Sequence, residues 1–172
     1  MENLSTETIE LTPARPQFLK VLCILSFIMC GLMLLFALVG LKNIFLSPEE
    51  ILGANPYMST FQDNNPTAYQ TLLDSMEYKN INAIISLIIP VISLIGVIYM
   101  WKLKKMGFYI YLIGELLPYI TVFLTHGVAV MYASASMMGD KGEMFINIFL
   151  GCVVVFDILF IALYAMNVKH LK

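Results

Sequence analysis

The chain has 172 residues, 59% of them hydrophobic and 13% charged, and a net charge of -2. Mean hydropathy is +0.81. A soluble domain is roughly half apolar with about a quarter of its residues charged. This chain has more apolar residues than one small core can hide, so lipid is part of its surroundings and a single membrane domain is the natural organisation. The small net charge and the lack of a basic patch exclude a nucleic-acid binder.

In chain order, residues 1–17 form a polar N-terminal segment. Val21 to Leu41 follows, 21 residues without a charge. It is longer than the apolar core of a cleaved signal peptide and no A-x-A site follows it, so it reads as a retained helix. Lys42 to Asn80 is the one long segment outside the apolar runs. In it, "SPEE" at Ser47 to Glu50 has the pattern of a capping box, with Pro48 at the first helical position. Asn65–Pro66 reads as a second helix start. Tyr69, Leu72, Leu73 and Met76 then fall at helical spacing, a stripe expected to pack on the protein's own bundle.

Ile81 to Trp101 is again 21 residues without a charge. Gly107 to Tyr132 carries only Glu115 and His126, and Phe145 to Met166 only Asp157. Each run covers the roughly 20 residues that an α-helix needs to cross a bilayer. Spans are therefore predicted at about 18–41, 81–101, 107–132 and 145–166. Pro90 and Pro118 lie inside the second and third, where kinks are expected. The links between spans two and three and between three and four are short. The predicted fold is an all-α membrane protein, an antiparallel four-helix transmembrane bundle with a partly helical segment between helices 1 and 2.

Positive charge orients it. Arg15, Lys20, Lys102, Lys104, Lys105, Lys169 and Lys172 lie on one side, against Lys42, Lys79 and Lys141 on the other. Seven against three places both termini in the cytoplasm. Lys102, Lys104, Lys105 and Trp101 are expected to anchor that interface, with Phe108, Tyr109 and Tyr111 beside them as an aromatic belt.

Ionisable residues inside a span are functional candidates. At 1.5 Å of rise per residue, Glu115, Ser26 and Ser93 come out about 12 Å below the cytoplasmic boundary and Asp157 about 13 Å. Each helix thus offers one polar residue to nearly the same layer. The two acids are expected to face inward, with their repulsion relieved by a shared proton. Pro118 frees the carbonyl of Gly114, to which Asp157 is expected to donate. Two readings follow. In the first, the layer holds helices together in a structural or interaction component, with another membrane protein or a second copy as partner. The alternative is a small proton- or cation-coupled transporter or channel subunit using Glu115 and Asp157. No catalytic fingerprint is present, so an enzyme is not expected, and neither is a metal or cofactor. Cys23, Cys30 and Cys152 have no metal spacing and read as packing residues.

Two stretches, "RPQFLKVLCILSFI" (Arg15 to Ile28) and "YMWKLKKMGFYIYLIGE" (Tyr99 to Glu115), resemble a group of uncharacterised small four-span membrane proteins of Bacteroidetes-type bacteria. That group has an RPxFLxVLCIL-like start to its first span and a WKLKKxGFY-like turn. The resemblance implies a bacterial inner-membrane location and no particular activity.

Overall fold

The computed structural model describes residues 16–172. The expectation for the polar N-terminal segment, Arg15 included, falls almost wholly outside them. Among the described residues all regular structure is helical. Four stretches are long and apolar enough to cross a membrane: Gln17–Phe45, Pro66–Trp101, Met106–Leu124 and Lys141–His170.

The first contains α1 (Gln17–Gly40), whose buried residues Leu19, Leu22, Cys23, Ser26 and Cys30 recur at three- and four-residue steps. That period puts them on one face. The connecting segment folds into three short helices, α2 (Pro48–Gly53), α3 (Met58–Asn64) and α4 (Pro66–Ser75). The capping box forms: Ser47 Oγ accepts from the Glu50 amide at 3.2 Å, and Glu50 Oε2 accepts from the Ser47 amide at 2.7 Å. Pro66 opens α4, and a single 3₁₀ turn, Met76–Tyr78, joins it to α5 (Lys79–Trp101). Helix α5 runs through Pro90, and α6 (Met106–Leu124) runs through Pro118.

The third span is shorter than the sequence pattern implies. His126 takes up a left-handed backbone conformation with φ of 52°, which an α-helix cannot continue through. The apolar run is thereby cut at Leu124, and its remainder becomes α7 (Gly127–Ala135). Hydropathy cannot register such a break, because both sides of it are equally apolar. The break has a use: α4 lies along α7, and Leu72 with its stripe partners Tyr69, Leu73 and Met76 packs against Val130 and Ala133. Leu52, Met58 and Phe61 complete this small core. The last helix, α8, spans Asp140–Asn167.

A second core lies at the opposite end. Leu19, Leu22 and Cys23 meet Val97, Met100, Tyr111, Tyr164 and Leu171 there. The turn between α5 and α6 passes through Leu103, whose φ is 58°. Beside it, the Lys105 amide donates to the Lys172 carbonyl at 2.8 Å, and the Lys172 amide donates to the Leu103 carbonyl at 2.6 Å. The C-terminal residues are thus paired to this turn through the backbone. Trp101 packs edge-on against Phe27, with centroids 5.8 Å apart. Tyr109 faces outward, but Tyr111 turns inward and is 4% exposed. Of the expected aromatic belt, Tyr111 therefore belongs to the core. It follows Gly107 and precedes Gly114 on the buried face of α6, a position set by helical period and not by depth.

Between the two cores the helices are unequally packed. Helix α5 lies close along both α1 and α6, whereas α8 meets α1 and α6 sparsely. Of the apolar stretch of each span, 28% is buried in the first but only 6% in the fourth.

Candidate functional site

Ser26, Ser93, Glu115 and Asp157 line one cavity of about 380 Å³ between α1, α5, α6 and α8. Helical period delivers each of them. Ser26 continues the buried face of α1 beyond Leu22. Ser93 stands between Pro90 and Val97 on the buried face of α5. Glu115 adjoins Gly114 on α6, and Asp157 precedes Phe160 and Tyr164 by one and two turns on α8.

The seam between α5 and α6 is what brings Ser93 to Glu115. A Cβ on Gly114 would fall 2.3 Å from Ser93 Oγ. Only glycine permits that approach, in the way that small residues let membrane helices meet.

The polar groups are partnered across helices. Ser26 Oγ and the Tyr164 hydroxyl lie 2.8 Å apart, tying α1 to α8. Asp157 Oδ2 accepts from the Tyr119 hydroxyl at 2.5 Å, tying α6 to α8. Tyr111 and Ser93 line the same cavity as Glu115. Tyr111 and Tyr164 meet ring to ring, with centroids 4.9 Å apart. Asp157 thus takes a tyrosine hydroxyl where the sequence pointed to the Gly114 carbonyl. Gly114 itself sits in the close α5–α6 seam, where the position of its missing Cβ faces Ser93.

Sequence reasoning missed Tyr111, Tyr119 and Tyr164. Their spacing offered a signal. Tyr111 and Tyr119 stand four residues before and after Glu115, and Tyr164 stands seven after Asp157, distances that keep side chains on one helical face.

Both acids are half-buried. No lysine, arginine or histidine lines the cavity among the described residues. Much of the remaining lining is apolar, from Leu25, Met29 and Met33 on α1 and Phe156 and Phe160 on α8. Met33 also borders a second cavity, of about 630 Å³, that reaches Pro90, Pro118, Asn43, Asn82, Ser86 and Lys79. Lys79 Nζ donates to the Leu46 carbonyl there.

Lys102, Lys104 and Lys105 are exposed around the α5–α6 turn, with Lys104 Nζ 5.6 Å from the centre of the Tyr99 ring. Cys23 and Cys30 are buried, whereas Cys152 is exposed on α8 and so is no packing residue. No group of three or more histidine, cysteine or carboxylate side chains placed to hold a metal occurs among the described residues. No family model, curated protein or solved structure matches the chain.

Proposed function

We propose that this chain is a multi-pass membrane protein that binds a proton or cation at Glu115 and Asp157, as a small transporter or channel subunit. The observation that carries the reading is the cavity: two carboxylates border one space with no basic side chain lining it among the described residues. Charge in such a place is costly unless it is compensated. A proton or a cation supplies the positive charge that no side chain lining the cavity carries. The second cavity, bordered by the same Met33 and running to Asn82 and Lys79, lies toward the α4–α7 end and supports the reading. The basic turn supports an orientation with both termini in the cytoplasm. Its resemblance to the bacterial group supports an inner-membrane location. No covalent chemistry is part of this proposal.

The experiment is reconstitution of the full chain in liposomes, with proton and cation flux measured. Flux in the wild type that is lost in Glu115→Gln/Asp157→Asn supports the reading. Equal flux in both, or none in either, removes it.

A structural role is the second reading, with another membrane protein or a second copy as the partner. The specific observation in its favour is that two of the polar contacts, Ser26–Tyr164 and Tyr119–Asp157, join α8 to different helices. Under this reading the double variant carries no flux difference and unfolds more easily.

A further inference from the structure

The shape of the acid-lined cavity narrows the kind of cation. We propose that it takes an amphipathic organic ammonium ion, which enters sideways from the bilayer between α1 and α8. The inference rests on the reading of Glu115 and Asp157 as a cation site.

Three observations converge. The first is size. A space of about 380 Å³ falls in the range of small-molecule sites, which begins at roughly 300 Å³. A proton or a bare inorganic ion needs far less.

The second is the mixed lining. The carboxylates and hydroxyls of Glu115, Asp157, Ser26, Ser93 and Tyr111 share the lining with the apolar side chains of Leu25, Met29 and Met33. An occupant that is cationic at one end and apolar at the other matches both. The aromatic faces of Phe156 and Phe160 border the same space, and such faces attract organic cations. Methionine adapts to apolar groups of varied shape.

The third is the position of the mouth. One end is closed, because Leu19, Val97, Met100 and Tyr164 are fully buried beneath the cavity. Its lateral rim is open. Leu25, Met29 and Met33 are 45%, 51% and 51% exposed, and Phe156 on the facing helix is 59% exposed. These rim residues stand at membrane depth, where exposure means lipid. From Gly151 to Phe156 every residue of α8 is exposed. Six consecutive residues cover more than one full turn, so no face of this part of α8 is buried against the bundle. An amphipathic cation already held in the bilayer reaches the carboxylates through that gap without crossing the sealed end.

The test uses the full chain in phosphatidylcholine nanodiscs with radiolabelled decyltrimethylammonium as probe. Wild type is expected to bind it saturably. The neutral tert-butyl isostere of the probe, identical in shape, is expected not to displace it. Glu115→Gln/Asp157→Asn is expected to bind at least about tenfold more weakly, since a buried charge loses its partner. Met33→Trp fills part of the cavity and leaves both acids in the sequence, and is expected to weaken binding while leaving the monodisperse fold intact. Displacement by the neutral isostere, or equal binding by the Gln/Asn variant, overturns the inference and leaves only a greasy groove. If the probe does not bind but liposome flux still depends on the two acids, the cation-site reading stands and this inference alone fails. If probe binding and flux are both absent, both fall.

Discussion

The seam between α5 and α6 and the middle of α8 are built from similar residues but behave oppositely. In the seam a side chain is deleted at Gly114, and the backbone of α6 closes on Ser93. On α8, Gly151 has nothing within 4 Å of the place its Cβ would take. The same residue type thus makes a tight joint in one place and none in the other. Helix α8 is instead held at its ends. Near its start, a Cβ on Gly142 would fall 1.8 Å from the Ala135 carbonyl oxygen. Near its far end, Tyr164 is fully buried and bonded to Ser26. Two fixed ends and a free middle leave a space between them, and the space is where the acids are.

That contrast can be broken, most severely at the seam. Gly114→Leu forces α5 and α6 apart and is expected to cost about 3 kcal/mol, an overpacking penalty. Reversible unfolding in mixed micelles measures it, and a loss under about 1 kcal/mol would mean that the joint is looser than described. Gly142→Ala comes next. Alanine favours a helix over glycine by roughly 1 kcal/mol, yet here its methyl meets backbone, which cannot step aside. A net loss of about 2 kcal/mol is expected, and a gain would mean that the start of α8 is not pinned.

Tyr164→Phe removes one hydroxyl from a buried pair and strands Ser26. Its expected cost is about 1 kcal/mol, and it should couple to Ser26→Ala in a double-mutant cycle, whereas additive effects would dissociate the pair. The smallest effect belongs to Gly151→Ala, which meets nothing. Its stability should stay level or rise by up to about 1 kcal/mol from helix propensity alone. A clear loss there would show that the middle of α8 is packed after all.

Much of the scaffold was legible in the residues. Uninterrupted apolar length marks the four membrane-compatible helices, and "SPEE" marks the cap of α2, because both signals are local. The sequence also pointed to Ser26, Ser93, Glu115 and Asp157 through depth counted along each helix, and all four border the same cavity. What depth does not carry is direction around the helix axis. In water, a polar outer face reveals which side is buried. In lipid both faces of a span are apolar, and that contrast fades. Hence Tyr111 looked like an interfacial residue, and the loose seating of α8 left no trace in the pattern. The end of α6 at His126 was hidden for a related reason: a backbone turn inside an apolar run changes no hydropathy value.

The two carboxylates share one space, and every functional role proposed for them requires it. Infrared difference spectra of the wild type, Glu115→Gln and Asp157→Asn, taken in deuterated buffer across pH, test this directly. If the acids face one cavity, replacing either changes both the carboxyl band and the titration of the other, by reciprocal amounts. Two bands that titrate independently, each unchanged when the other acid is removed, would contradict it.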